Sequence, residues 1–556
     1  MRYKLILIFI LFLASILRFY GIKEKGLVQH DEGSYLQGVK TITITLDWAI
    51  KNLFAIKQPQ LKDLFYEKDG GYYPSSAKPG FYSLMALPSL FVGIHDYAAI
   101  IVSGICDVLT TLVVFFIGKE LWNPFFGLLS CFIYSILGLS ILYSRSALPV
   151  SPATLFMILG CLFWLYSMRK PTKRNIYLII SGFSIGYGVT CHYSYFFVPL
   201  IFLFLEFIYL IKSRLKFRKL LIFGFSMTIP LLIFQAISLL AKYIIYARGF
   251  EKYISVLGSR FTYFGQLLIQ TNLGEAHSPS EIFSLFLKRV IRRLTRYHIK
   301  FEDTFSQPMG PSGVPPELEG SGLFYYINLL VAHDGWLFVF LLVLGIIAFL
   351  INIKRLSFKE LSIFLLFFIP TFFWAVICPI KYARVFSVTY PFIVLIISFG
   401  LGKLFYKKKA LLFLSIILIV GNAIFYIPKT MRMRSGYKSA IEWMKAHKGV
   451  KHISLTPVSD FYGGSKNARF LNSIDEAKIA YSEGFHYLLL DRNKYHFSEN
   501  ILIKASNTIK PVVLIPHSND CFAYEEGFSP AIIKRILKEP RVLKIYDLGE
   551  ILKSIE

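Results

Sequence analysis

Charged side chains are scarce in this sequence. Asp, Glu, Lys and Arg make up 17% of its 556 residues, against 55% hydrophobic and 17% aromatic residues, a balance that a water-soluble chain of this length rarely sustains. Acids are the scarcer sign: 34 Asp and Glu face 61 Lys and Arg, giving a net charge of +27. In a polar chain that excess would point to nucleic acid. Here many of the cations sit in short runs between apolar segments, the pattern of cytoplasmic loops in a membrane protein, and a nucleic-acid surface is not expected. Six cysteines (Cys106, Cys131, Cys161, Cys191, Cys378 and Cys521) show no metal-ligand spacing. Five lie in or beside apolar segments, so neither a zinc site nor a disulfide framework is expected. No Gly-rich phosphate loop joins a strand to a helix, which removes support for dinucleotide binding. No small-residue cleavage site follows the first apolar run, so residues 4–20 read as a retained helix.

Long apolar runs are abundant. A membrane crossing needs roughly 20 apolar residues, because lipid satisfies no bare backbone group. Eleven segments qualify, near 4–20, 97–118, 124–143, 148–168, 176–192, 193–211, 219–245, 333–353, 361–377, 385–404 and 410–428. A weaker one at 79–94 is short and contains Pro88, so it is expected to be re-entrant or enclosed by other helices. The expected fold class is a polytopic α-helical membrane protein of about 11–13 transmembrane helices with a small C-terminal α/β soluble domain.

Basic clusters give orientation. Arg2 and Lys4, Arg169 to Arg174, Lys212 to Lys219, Lys354 to Lys359 and Lys407 to Lys409 all belong in the cytoplasm if positive charge stays inside. That places the N-terminus in the cytoplasm and puts residues 21–77, 246–330 and everything after Pro428 outside. Residues 1–428 then form a membrane domain including both outer loops, and 429–556 an extracytoplasmic domain. Within the second loop, 281–297 has the pattern of an amphipathic interfacial helix carrying Lys288, Arg289, Arg292, Arg293 and Arg296, with a solvated linker helix as the plainer reading. The tail predicts helices at 437–447 and 475–483, and strands at 452–456, 485–490, 511–515 and 542–547.

Four polar groups share the outer side. Asp31, Glu32 and Tyr35 open the first loop, where neighbouring acids are ordinary surface residues or a catalytic pair. Tyr72 and Tyr73 precede Lys78 and Pro79; a boundary lysine usually snorkels, but it also suits a lipid-linked phosphate, with proline fixing the helix start. Tyr143 and Arg145 lie between two spans, and Lys381 and Arg384 in a late outward turn. Deeper, Asp107 and Glu206 fall within spans, where an ionisable group is a functional candidate unless a neighbouring helix pairs it. His192 marks the turn between two spans.

This pattern resembles the GT-C superfamily of membrane glycosyltransferases, and most of all its bacterial protein O-mannosyltransferase and aminoarabinose-transferase branch. The resemblance rests on Arg18-Phe19-Tyr20, then Asp31-Glu32 and Tyr35, Lys78-Pro79, Gly127-Leu128, Tyr143-Ser144-Arg145 and Ala147-Leu148, in that order over roughly the first 200 residues. Lys381-Tyr382-Ala383-Arg384 is compatible with it. It implies a GT-C fold and transfer of a sugar from a polyprenyl-phosphate donor to a lipid, glycan or protein acceptor at the outer face of a cell inner or plasma membrane. It also implies an acid at Asp31, with Glu32 beside it, and a phosphate-holding cation at Lys78. Two departures stand out: Leu148 to Ser151 lacks the acid that relatives often carry, and Pro79-Gly80 replaces a frequent pair of prolines. On chemical grounds an inverting transfer needs a base for the acceptor hydroxyl, assigned to Asp31, and cations for the leaving phosphate, assigned to Lys78, Arg145, Lys381 and Arg384. Tyr35, Tyr72, Tyr143 and His192 are further pocket candidates. A divalent metal stays open, since Asp31 and Glu32 offer hard oxygens without a second cluster. The competing classes are a transporter or lipid flippase, which should show internal repeats and midplane ligands, and a receptor that binds through its C-terminal domain.

Overall fold

The computed structural model describes residues 2–52, 78–246, 322–377, 383–405, 408–454, 456–464, 466–469, 471, 473–491, 501–518, 538 and 541–555. Tyr72, Lys381 and the expected helix at 281–297 lie outside these residues.

Among the described residues, apolar sequence becomes helix almost everywhere before the C-terminal part. The N-terminal part runs α1 (Arg2–Phe19), α2 (His30–Asn52), α3 (Pro79–Val92), α4 (Asp96–Leu121), α5 (Pro124–Ser135), α6 (Gly138–Ser144), α7 (Val150–Arg169), α8 (Arg174–Cys191), α9 (Val198–Lys212) and α10 (Arg218–Tyr246). Then come α11 (Gly322–Ile351), α12 (Phe358–Phe372), α13 (Tyr390–Phe405) and α14 (Lys409–Met431). Among the described residues eight helices are long and apolar enough to cross a membrane, and a bent pair makes up to nine. The segments expected to cross at 176–192 and 219–245 are also helical, as α8 and α10. They pack tightly: a Cβ on Gly186 would lie 2.0 Å from the Met227 carbonyl oxygen, so only glycine allows this backbone approach. Helix α14 carries Phe413, Leu414, Ile424 and Phe425 outward. Such a face suits hydrocarbon rather than water.

One expected span is interrupted, and the weak segment is too short to cross. The run 124–143 breaks into α5 and α6, inclined at 62°, because the new helix is capped from elsewhere: the Asp334 carboxylate accepts from the Gly138 N–H at 2.5 Å. Asp334 can reach it because α11 is kinked at Gly335 (φ 79°). The weak segment near 79–94 is α3, whose 14 residues span about 21 Å, short of a hydrocarbon core.

The C-terminal part is α/β. Helix α15 (Tyr437–Ala446) leads into β1 (His452–Ser454), α16 (Pro457–Gly463), β2 (Ala468–Arg469), α17 (Ile474–Ser482), β3 (Tyr487–Asp491), α18 (Ile501–Ser506), β4 (Val513–Pro516), β5 (Val542–Asp547) and α19 (Leu548–Ile555). The sheet order is β2-β1-β3-β5-β4. Strands β1, β2 and β3 are parallel, and β5 runs antiparallel to both neighbours. Alternation divides the core: Tyr487, Leu489, Leu543 and Ile545 join the cluster continuous with the membrane helices, while Leu488, Leu490 and Tyr546 pack on the other face with Ala477, Ile551 and Leu552.

This C-terminal part docks on the segment before α2. The Tyr462 hydroxyl of α16 donates to Asp96 at 2.6 Å and accepts from the Leu27 N–H at 2.9 Å. The Ser435 N–H donates to the Lys25 carbonyl at 2.7 Å. Gly26 (φ 64°) makes the contact possible, since a Cβ there would fall 2.8 Å from Ser435 Cβ.

Candidate active site

Helix α2 begins at His30, so Asp31 and Glu32 occupy its first turn, where the helix dipole favours negative charge. The two side chains diverge. The Asp31 carboxylate forms an ion pair with Arg384, at the start of the 3₁₀ segment Ala383–Thr389, across 353 residues of sequence. Tyr35, one turn along α2, donates its hydroxyl to Asp31 at 3.4 Å and accepts from the Lys78 ammonium. Lys78 stands just before α3, with Pro79 as its first residue. Asp31, Tyr35, Lys78 and Arg384 therefore form one chain of contacts built from α2, the start of α3 and the late 383–389 segment. The pair is partly open, with side-chain exposures of 26% for Asp31 and 14% for Arg384.

His192 completes this group. Its ring is buried and stacks on Tyr195 at 4.9 Å between centroids. Burial, reinforced by the cations of Lys78 and Arg384 against the opposing pull of Asp31, holds the imidazole well below its usual range. Tyr195 ties the same corner to the late segment, sharing a hydrogen bond with Ser387 Oγ at 2.6 Å and donating to the Arg384 carbonyl at 3.0 Å. Gly80 brings α3 against the end of α8: a Cβ there would lie 2.2 Å from Thr190 Oγ1 and 3.2 Å from the Cys191 nitrogen. The Tyr187 hydroxyl also donates to the Gly80 carbonyl at 3.0 Å. The departure from a proline pair thus has a steric reason. Burial, and secondarily the nearby Asp31 charge, raises Tyr35 well above the usual phenol range, so its hydroxyl stays protonated.

Glu32 faces the other way and is fully buried. One carboxylate oxygen accepts from the Val28 and Gln29 N–H groups, each at 2.7 Å, and the other from the Ala147 N–H at 2.7 Å. Lys25, also buried, pairs with it at 3.5 Å. Arg145 belongs to this side: its Nη1 donates to the Tyr20 carbonyl at 2.7 Å and the Arg18 carbonyl at 3.3 Å, closing the C-terminal end of α1. Tyr143 is buried and stacks on Tyr390 at 6.4 Å. The two intramembrane acids are also paired. Asp107 binds Arg18 at 2.7 Å, Tyr134 at 2.8 Å and Ser140 at 2.6 Å. Glu206 binds Arg174 at 2.5 Å and Trp164 at 3.0 Å.

The structure thus brings together Asp31, Tyr35, Lys78, His192 and Arg384, and places Glu32, Arg145 and Tyr143 in packed surroundings. Sequence reading missed Lys25 and Tyr462. Lys25 lies at the end of a membrane-length apolar window, and its burial as the partner of Glu32 leaves no local signature. Among the described residues no group of three or more His, Cys, Asp and Glu comes together.

Known proteins share this architecture. Two solved structures of the Archaeoglobus fulgidus oligosaccharyltransferase match along most of the chain. The apo form has a TM-score of 0.57 at 14% identity, covering 90% of this chain and 71% of that one. The AglB complex with an inhibitory peptide and a dolichol-phosphate has a TM-score of 0.55 at 12% identity, covering 90% and 70%. The fold is GT-C. ArnT from Cupriavidus metallidurans bound to undecaprenyl phosphate also aligns, over 97% of both chains at 9% identity with a TM-score of 0.41. Residues 77–246 match the family model of dolichyl-phosphate-mannose-protein mannosyltransferase; that stretch of the GT-C fold holds Lys78, Arg145 and His192. No curated protein matches the chain.

Proposed function

We propose that the protein transfers a sugar from a polyprenyl-phosphate donor to a lipid, glycan or protein acceptor at the extracytoplasmic face of a cell inner or plasma membrane, with its N-terminus in the cytoplasm. Residues 1–428 form the transferase unit and 429–556 an extracytoplasmic unit docked on it. The observation that carries this reading is the meeting of Asp31, Lys78 and Arg384, from three distant parts of the sequence, at one partly open corner of a GT-C fold. The mannosyltransferase family match over 77–246 and the dolichol-phosphate bound by the AglB structural neighbour support it.

The chemistry follows from the charges. A donor phosphate competes with Asp31 for Arg384 and takes Lys78 as a second cation, the guanidinium offering paired N–H groups and the ammonium a point charge. Asp31, released from Arg384, accepts the proton of the acceptor hydroxyl. That oxygen forms a bond to the anomeric carbon as the bond from this carbon to the phosphate oxygen breaks, and the phosphate leaves on Lys78 and Arg384 with inversion at the sugar. Tyr35 holds Lys78 and Asp31 at a fixed separation through its hydroxyl.

Asp31→Asn tests the assignment. Membranes holding the variant at normal levels are expected to bind undecaprenyl phosphate and to transfer sugar from a panel of labelled lipid donors about 10²–10⁴-fold more slowly. Near-normal turnover would sink the role given to Asp31.

A further inference from the structure

The mechanism above gives no task to His192, although the ring is built into the same corner. It is 3% exposed, and neither ring nitrogen has a hydrogen-bond partner among the described residues. Burying an imidazole this way forfeits two hydrogen bonds to water, a cost that proteins usually recover through a partner. The ring is also fixed in place. Its backbone N–H donates to the Gly188 carbonyl at 3.1 Å, its carbonyl accepts from the Tyr195 N–H at 3.0 Å, and Tyr195 stacks against its face. Glycine at position 80 lets the 190–191 backbone sit against the start of α3, two residues beyond Lys78.

The chemistry of the neighbours narrows the ligand. Among the described residues Lys78 and Arg384, opposed by Asp31, are the charges that act most strongly on this ring. Two cations beside it disfavour a third, so the imidazole stays neutral and presents one N–H donor and one lone pair. A neutral donor–acceptor pair is poorly matched to a phosphate, which Lys78 and Arg384 already suit. It is well matched to sugar hydroxyls, each of which both donates and accepts. Resting on the donor reading above, we propose that His192 is a specificity-determining residue that hydrogen-bonds the sugar of the lipid-linked donor, with the phosphate held by Lys78 and Arg384.

Binding measurements on the purified full chain separate this role from a packing role. The probes are undecaprenyl phosphate and a panel of hexosyl undecaprenyl phosphates. The wild-type protein is expected to bind at least one hexosyl lipid more tightly than the sugar-free lipid. His192→Phe, which keeps the stack on Tyr195, should weaken that hexosyl lipid by about tenfold and raise its KM, leaving the affinity for undecaprenyl phosphate unchanged. His192→Gln, which restores a donor and an acceptor, should recover part of the discrimination. Equal weakening of both lipids, no change in either, a Gln variant no better than Phe, or no preference of the wild type for any hexosyl lipid would each overturn the inference. If the wild type binds neither the sugar-free lipid nor any hexosyl lipid, the donor reading itself fails.

Discussion

Asp31 and Glu32 are adjacent in sequence and chemically alike, yet they belong to two different regions of the molecule. Glu32 spends its carboxylate on fixtures: three main-chain N–H groups and a buried ammonium that cannot move away without unfolding something. Asp31 is held by the side chains of Arg384 and Tyr35 at a partly open corner, and an incoming anion can compete for that guanidinium. The difference teaches where to look for a reactive acid. Proximity to a motif does not decide it; what matters is whether the partners are exchangeable. Helix geometry separates the two, since consecutive residues project about 100° apart.

The largest expected effects set these acids against each other. Asp31→Asn should cost about 10²–10⁴-fold in turnover with thermal unfolding in detergent nearly unchanged. Glu32→Ala should do the reverse: it leaves Lys25 without its carboxylate and three N–H groups bare in a buried space, at a cost of about 3–5 kcal/mol, read as loss of folded protein. A folded but inactive Glu32→Ala would break the comparison. Lys25→Met sharpens it. Its cost should be smaller, about 2 kcal/mol, because the Glu32 carboxylate keeps its three main-chain donors. Tyr35→Phe removes the hydroxyl between Lys78 and Asp31 and is expected to lower kcat/KM by about tenfold with little change in stability.

Much of this was legible in the sequence because lipid leaves few choices. Apolar runs near 97–118, 148–168 and 410–428 became helices Asp96–Leu121, Val150–Arg169 and Lys409–Met431. The C-terminal strands were readable from short apolar runs, with β5 at Val542–Asp547 as expected. What the pattern could not show was anything set by distant partners. The run 124–143 has no proline or charged residue at its break, because the cap comes from Asp334, almost 200 residues away. Likewise Asp31, Lys78 and Arg384 were legible as residues that share a side of the membrane, and His192 only as a turn. That Glu32 and Arg145 turn to backbone groups depends on the carbonyls and N–H groups that packing brings near, and no motif encodes these.

The smallest effect links the C-terminal part to the Asp31 helix. His452 is buried beneath α16, where a Cβ on Gly463 would come within 3.1 Å of its ring, and its Nδ1–H donates to the Val450 carbonyl at 2.7 Å. Burial pushes this histidine down to about 4, outweighing that hydrogen bond. The unfolded chain, with an ordinary histidine, binds a proton at higher pH than the folded one. The His452 contribution to stability is therefore complete above about pH 6.5 and falls as the pH drops toward 4, by about 1.4 kcal/mol at pH 5.5; Asp460 of α16, which burial raises to about 6, binds its proton first in the folded chain and offsets about 0.8 kcal/mol of that. Helix α16 carries Tyr462, the residue bonded to Leu27 and Asp96 just before and beyond α2. Acid should accordingly loosen the docking while the Glu32 knot holds. Hydrogen exchange, corrected for its intrinsic pH dependence, is expected to speed up at 457–463 between pH 7 and 5.5 and to stay unchanged around Val28 and Gln29. His452→Asn should reverse that pH dependence, leaving only the opposite effect of Asp460; equal acceleration at both places would show that the two regions open as one unit.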